Sequence, residues 1–463
     1  MENLASFERN LRATPDPIAA LQNGEIGKGL EIDTPFGRKP LIYADYVASG
    51  RALVQVEDFV RDHILPYYAN SHTEQSFCGA TMTRMREEAR QFIAQKCGAN
   101  SREHAVIFGG SGATTGLNQL IHLFAVSSQP TTVLVGPYEH HSNLLPWRES
   151  GADVIEIAED PAGGVDLEDI TRKFAQIPQG HQVIGAFSAA SNVTGVLTDV
   201  AAVTQAIKSR GGKIVWDYAG GGPYLPMAMS NTGGEIDALV FSPHKFLGGP
   251  GASGVLILRR DAVMTTKPNR PGGGTVAFVN ERRHDYVARL EQREEGGTPN
   301  VIGDIRAALA LIVKDVIGQD YITRRNCDLS ERVFDAWSHL PELCLLAPEH
   351  RNRLPIFSFV PRDRDGQRLD YQSFTRALSD HYGIQARGGC SCAGPYVHRL
   401  LNIDDAWSDS LRTELLQGND QGKPGFVRLN FSFMISEAAI QAILAAIPGL
   451  VSMIGAETQA EAV

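Results

Sequence analysis

The sequence predicts an α/β protein: a large domain built on a mostly parallel sheet, followed by a smaller C-terminal α+β domain. Three observations predict this. Short apolar runs at Ala105–Phe108, Thr132–Val135, Val183–Phe187, Lys213–Trp216, Ala238–Phe241 and Val255–Leu258 alternate with helical patterns, the mark of buried strands covered by helices on both faces. After about residue 300 the order changes to strands near Ile356–Val360 and Val427–Phe433 with helices between them. The chain has 463 residues, 43% hydrophobic and 21% charged, enough to bury a large core in two domains. The expected boundaries are an N-terminal arm over 1–40, a large domain over 41–300 and a small domain over 301–463.

Each part has its own signature. The arm reads as a helix around Leu4–Leu11 followed by a turn-rich stretch with Pro15, Pro17, Gly24, Gly27 and Gly29. Glycine-rich turns at Arg270–Thr275 and Glu294–Asn300 precede a helical pattern from Ile302 to Ile317. The Ala/Glu/Gln tail after Gly455 reads as a fraying end. No internal repeat is present. The net charge of −10, from 53 acids against 43 bases, argues against nucleic acid as a main partner. No apolar stretch reaches membrane-spanning length, and Met1–Asn10 has no signal-peptide pattern, so a cytoplasmic protein is expected. Six cysteines (Cys78, Cys97, Cys327, Cys344, Cys390, Cys392) are too sparse for a disulfide scaffold.

Chemistry concentrates at strand ends. The run Ala238–Phe241 stops in Ser242-Pro243-His244-Lys245 and then glycines. A hydroxyl, an imidazole and an amine thus meet at one strand end, where α/β enzymes keep their ligands. A partly desolvated lysine loses proton affinity and becomes a nucleophile for a carbonyl, as in a Schiff base with pyridoxal 5′-phosphate (PLP). A surface lysine at a turn is the bland alternative. Lys213–Trp216 ends in Asp217, and PLP needs an anion at its pyridine nitrogen. Ala105–Phe108 runs through Gly109-Gly110-Ser111-Gly112 into the helical pattern Leu117, Leu120, Ile121, Phe124, which forms a seat for a phosphate. Pro137-Tyr138-Glu139-His140-His141-Ser142-Asn143 offers an imidazole to stack on a flat cofactor. Competing motifs fail: the Gly110–Gly116 run is one residue too long for a dinucleotide fingerprint, and neither a P-loop nor Gly-x-Ser-x-Gly occurs. Cys390-Ser391-Cys392 with His398 lacks a second pair at zinc-site spacing, so no metal is expected.

In this order the motifs resemble the class V aminotransferase family of fold-type I PLP enzymes. Within it, the chain is most similar to the cysteine desulfurase and selenocysteine lyase branch. The similarity runs from about Tyr43 to about Phe433 and implies a seven-stranded type of central sheet. It also implies that Lys245 bonds the cofactor and later moves the Cα proton, that Asp217 pairs with the pyridinium, and that His140 stacks on the ring. Thr114, Ser242 and His244, with the Ala113 amide, resemble phosphate ligands. His141 reads instead as a turn histidine. Asn192, in Ser191-Asn192-Val193-Thr194-Gly195, resembles the side chain near the cofactor's phenolic oxygen and the substrate carboxylate, although the segment alone reads as a turn. Arg428 resembles the arginine that binds the α-carboxylate, a structural ion pair being the alternative. Thr298 resembles a residue reaching the phosphate of a neighbouring subunit's PLP, which implies a homodimer.

The resemblance places Cys392, counted from Arg387, where desulfurases keep the thiolate that attacks the substrate's sulfur. Glycines before it and Gly394-Pro395 after it describe an accessible loop. The sequence departs from the desulfurases at two points: Ser391 stands where they have histidine, and Gly220 where they have a glutamine bonding the phenolic oxygen, a position left to water or Tyr218. Cys390 is extra. Without the neighbouring histidine, His72, His141 or the substrate amine has to serve as base. The implied reaction converts cysteine to alanine and an enzyme persulfide, with a sulfur-acceptor protein or thiol as partner. A β-lyase or aminotransferase-like enzyme on a small sulfur amino acid is the alternative. A PLP-fold protein without catalysis is opposed by the intact set Lys245, Asp217, His140 and Arg428.

Overall fold

A computed structural model describes residues 2–71, 74–420 and 422–461. The chain forms two compact units. The first comprises 1–26, 49–189 and 198–320, and the second 27–48, 190–197 and 321–463.

The first unit is built on seven strands: β1 (His104–Gly109), β2 (Thr131–Val135), β3 (Asp153–Glu156), β4 (Gln182–Ser188), β5 (Lys213–Asp217), β6 (Ala238–Phe241) and β7 (Gly254–Arg259). Their order in the sheet is β1-β7-β6-β5-β4-β2-β3. The pairs β6/β5, β5/β4, β4/β2 and β2/β3 are parallel, and β7 runs antiparallel to both neighbours. The central strands are apolar without alternation because both faces are covered. Val133, Ile184, Val215, Val240 and Leu256 pack with Leu117 and Leu120 from one face. Each such side chain contributes about 1.5–3 kcal/mol over leaving it in water. The parallel strands deliver β4, β5 and β6 to one sheet edge with Ser188, Asp217 and Ser242 at or just past their C-terminal ends.

The second unit contains a four-stranded antiparallel sheet of β8 (Leu343–Leu345), β9 (Ile356–Pro361), β10 (Arg387–Gly389) and β11 (Phe426–Asn430), in the order β8-β9-β11-β10. The short strand Ile42–Tyr43 pairs in parallel with Ile384–Gln385. Trp337, Phe357, Phe359, Phe374 and Phe431 fill its core together with Ile443 and Ile447. Trp337 meets Phe357 and Phe359 edge-on at 6.3 and 5.9 Å between ring centres.

The N-terminal region departs from the turn-rich reading. After helix Leu4–Arg12, a second helix spans Pro17–Asn23, and Glu31–Thr34 pairs with Gly37–Pro40 as a hairpin. Pro17 sits in the first helical turn, where a missing N–H is harmless, and the Asp16 carboxylate caps the Ala19 amide at 3.0 Å. At the other end, helix Glu437–Glu461 runs through the tail read as fraying. Ala, Glu and Gln are strong helix formers, and they continue it. Among the described residues, no helix is long and apolar enough to cross a membrane.

Candidate active site

The first unit brings together the lysine and the aspartate singled out from the sequence. Asp217 is 4% exposed, and one of its oxygens accepts from the Ala219 amide at 2.7 Å. Burial pushes its pKa up, against the Ala219 hydrogen bond and the Lys245 charge. Lys245 ends a 3₁₀ turn, Pro243–Lys245, immediately after β6. The turn is held by Lys245 N–H to Ser242 O at 3.0 Å and by Gly50 N–H to His244 O at 2.9 Å.

The segment that the sequence reads as a phosphate seat lies between β1 and the helix Ala113–Leu123. Gly112 is tightly fitted: a Cβ there would lie 3.0 Å from both Ser242 Oγ and His244 Cε1. The Ala113 amide donates to Ser242 Oγ at 2.9 Å, and Thr114 Oγ1 lies 2.8 Å from Ser142 Oγ. His244 Nδ1 is 2.6 Å from Ser111 O, an atom that only accepts, so Nδ1 carries the proton. Nε2 then needs a second proton before it can donate to a phosphate. Burial and the Lys245 charge hold the His244 pKa below its usual value, opposed by the bond to Ser111. His140 accepts the Ser142 amide on Nδ1 at 3.0 Å, which leaves Nε2 as its N–H.

Beneath this group lies a residue that the sequence reading left within a motif. Glu139 is 4% exposed and receives three donors: Ser188 N at 2.8 Å, Ser188 Oγ at 2.6 Å and Asn143 Nδ2 at 2.6 Å. Burial outweighs them and, with the Asp217 charge, raises its pKa from 4.5 to about 7. A raised carboxyl pKa means the native state holds the extra proton, so this contribution is complete below about pH 4.5 and lost as pH rises through about 7. Glu139→Gln is expected to remove a fall in stability on the order of 3 kcal/mol between those limits. Urea melts of both proteins at pH 5 and pH 7.5 check this, and parallel pH dependences would refute it.

Thr298 is exposed and lines a cavity of about 500 Å³ that also includes Ser111, His244, Arg86 and Arg270. Its loop is anchored by Glu295, which accepts from the Phe108 amide at 2.7 Å, from Arg90 at 2.8 Å and from Arg86 at 2.5 Å. Burial pushes Glu295 up, but the two arginines and these bonds outweigh it and its pKa falls. Tyr218, considered as a substitute for the missing glutamine, is 3% exposed and lies near buried Cys97. Burial raises its pKa.

The second unit holds the other candidates. Segment 190–197 is stitched to β9 through Leu354 N–H to Gly195 O at 2.8 Å and Ser358 Oγ to Val193 O at 2.6 Å. Gly195 has φ +76, and a Cβ would stand 2.5 Å from Leu354 O, which requires glycine. The turn fixes Asn192, whose Nδ2 donates to Ser391 O at 2.7 Å and whose own carbonyl accepts from Arg428 Nη1 at 2.9 Å. Asn192 therefore joins the cysteine loop to the arginine. In that loop Ser391 and Cys392 have φ of 49° and 56°, a left-handed conformation costing about 1–2 kcal/mol for each non-glycine residue. Ala393 N–H to Cys390 O closes the turn at 3.3 Å. Cys392 is exposed and Cys390 half-buried. Of the candidate bases, His141 opens the 3₁₀ turn His141–Asn143 with its pKa lowered by burial and by Arg148, while His72 lies outside the described residues.

Two features test whether these residues suit PLP. Asp217 is a buried carboxylate at a strand end, and the absence of a side chain at Gly112 lets Ser242 Oγ and the His244 ring come close beside a helix start. Both fit the group. The aminotransferase class-V family pattern matches residues 42–442. The chain belongs to that family. Its members are PLP-dependent, and this chain is a PLP enzyme of the same fold. It is 26% identical over 378 residues to a probable cysteine desulfurase of Halalkalibacterium halodurans, covering 80% of this chain and 88% of the relative. To a probable cysteine desulfurase of Aeropyrum pernix it is 30% identical over 376 residues, covering 76% and 85%. The apo cysteine desulfurase of Thermococcus onnurineus superposes with a TM-score of 0.73 at 25% identity, over 89% of this chain and 95% of that one. The fold also matches Escherichia coli CsdA, with a TM-score of 0.71 at 22% identity, over 98% and 99% of the two chains. The mostly parallel seven-stranded sheet expected from the resemblance is the one observed.

Proposed function

We propose that the protein is a cytoplasmic, homodimeric cysteine desulfurase that converts cysteine to alanine and carries the sulfur on Cys392. The observation that carries this reading is the placement of buried Asp217 and of Lys245, whose charge reaches it, at neighbouring strand ends, in a chain whose relatives bear the name cysteine desulfurase. PLP, when bound, supplies an electron sink for the charge left at Cα. In this reading Asp217 keeps the pyridine nitrogen protonated and His140 stacks on the ring. Ala113, Thr114, Ser242 and His244 hold the phosphate, and Thr298 reaches it from a second copy. Arg428 and Asn192 hold the α-carboxylate. Lys245 tethers the cofactor and then accepts the Cα proton. The Cys392 thiolate attacks the substrate's sulfur: the new S–S bond forms as Cβ–S breaks, and protonation leaves alanine. A thiol or an acceptor protein then takes the sulfur.

Incubating the purified protein with cysteine and assaying alanine, pyruvate and sulfide tests this. Equimolar alanine and enzyme-bound sulfur are expected. Steady pyruvate release would establish the β-lyase reading, which Ser391 beside Cys392 and Gly220 after Asp217 favour.

Shared sites make a second prediction. Thr298→Ala is expected to weaken PLP retention by about 1–3 kcal/mol, the scale of a hydrogen bond to a charged group, measured as cofactor loss on dialysis. A fully active monomer at working concentration would end the dimer proposal.

A further inference from the structure

We propose that Asp45 is a positioning residue, holding the Arg428 guanidinium in the orientation that receives a substrate's α-carboxylate. The inference rests on the proposed function above and extends it to a residue that no motif marks.

Arg387 and Arg428 stand directly opposite each other on β10 and β11. Like charges in that relation repel. One carboxylate divides itself between them: Asp45 Oδ1 lies 2.7 Å from Arg428 Nη2, and Oδ2 lies 2.9 Å from Arg387 Nε. The two ends differ in exposure. Arg428 is 3% exposed, whereas the Arg387 side chain is 48% exposed. Burial lowers the Arg428 pKa, and Asp45 is the largest influence opposing it. Asp45 is itself 8% exposed and set firmly in the backbone. Ala44 N–H donates to Gln385 O at 3.0 Å, Asn430 N–H to Ala44 O at 2.8 Å, and Ala48 N–H to Asp45 O at 3.0 Å. The carboxylate is thus fixed relative to β11, the strand that carries Arg428.

A guanidinium has five N–H donors. Asp45 and the Asn192 carbonyl each take one, from Nη2 and Nη1. Arg428 Nε is buried and has no hydrogen-bond partner among the described residues. A buried donor in that state costs free energy until an acceptor arrives, and a carboxylate is the acceptor whose two oxygens suit a guanidinium fork. Asp45 and Asn192 therefore fix the plane of the fork while leaving the Nε–H unpaired. A purely structural ion pair would affect stability and leave substrate affinity alone. A carboxylate that merely competed with substrate would weaken affinity, and its removal would improve it. Positioning predicts the opposite sign.

The test uses the PLP-loaded wild type, Asp45→Asn and Asp45→Glu, with L-cysteine, L-alanine and cysteamine as probes. Binding is followed through the cofactor's visible absorbance, and turnover through steady-state alanine release. Asp45→Asn is expected to keep the cofactor band and raise half-saturation for cysteine and alanine by at least about tenfold, the scale of one misplaced charge-assisted hydrogen bond. Its kcat should stay within about threefold, because the chemistry at Cα is untouched. Cysteamine, which has no carboxylate, should bind wild type and variant alike. Asp45→Glu should recover part of the loss. If Asp45→Asn cannot hold the cofactor, Asp45→Glu alone should still show the rise for cysteine and none for cysteamine. Unchanged or lowered half-saturation for cysteine, or an equal loss with cysteamine, overturns the proposal while the desulfurase reading stands. A wild type whose spectrum responds to neither amino acid sinks the functional reading, and this inference with it.

Discussion

Lys245→Ala should abolish both the borohydride-sensitive visible absorbance of the protein and its turnover, with a fall in kcat of at least about 10³-fold. The size follows from the two duties assigned to one amine. Proton transfer by a placed side chain is worth about 10²–10⁴-fold, and loss of the covalent tether removes orientation as well. The structure supports the assignment through position. Lys245 closes a short turn directly after β6, its charge reaches the buried Asp217 at the end of neighbouring β5, and its turn is bonded to Gly50. Asp217 alone would be an expensive buried anion, and the Lys245 charge opposes that cost. Lys245→Ala should still bind PLP through the phosphate seat, detectable as free cofactor on denaturation, but borohydride should attach none of it to the chain. A variant that still becomes covalently labelled under borohydride would move the role to another lysine.

The sequence was most readable where physics is local. Buried parallel strands are contiguous apolar runs, so β1, β2, β4, β5, β6 and β7 stood out, and the polar residues that end them named Asp217, Ser242, His244 and Lys245. Strand β3, Asp153–Glu156, did not stand out, since it lies at the sheet edge with only Val154 and Ile155 apolar. The helix Pro17–Asn23 was hidden because proline and glycine suggest turns, and only the Asp16 cap beside Pro17 marks a start. Contacts between distant segments could not be read at all. Asp45 is 342 residues from Arg387 and 383 from Arg428, and nothing in Tyr43-Ala44-Asp45 announces either partner. Glu139 was visible as a letter in a histidine motif, but its burial depends on Ser188 and Asn143. Arg428 itself was legible as a strand residue that needs an anion. That part of this anion is Asp45, leaving only some of the fork open, emerges from the packing of β10, β11 and the strand before Asp45.

Cys392 should become persulfidated on exposure to cysteine, and Cys392→Ala should lose that label completely while cysteine still perturbs the cofactor's absorbance. The attacking species is a thiolate on an accessible loop. Cys392 is exposed, whereas Cys390, two residues earlier, is half-buried. The turn that presents Cys392 is strained, with Ser391 and Cys392 both left-handed, and Asn192 holds it through the Ser391 carbonyl. Such strain persists only where surrounding structure over-determines it, and it concentrates at functional loops. Ser391 supplies no base, so the thiolate must form with help from elsewhere, and turnover with cysteine alone should be slow and rise with an added thiol acceptor. Cys390→Ala should reduce the label without abolishing it, because Cys390 opens the same turn but is only half-exposed. Mass spectrometry of the peptide spanning both cysteines, after cysteine treatment and alkylation, separates the outcomes. A persulfide confined to Cys390 would exchange the two roles. Absence of any persulfide beside steady pyruvate formation would mean that C–S cleavage proceeds by elimination, with the Cys390–Cys392 turn contributing contacts rather than a nucleophile.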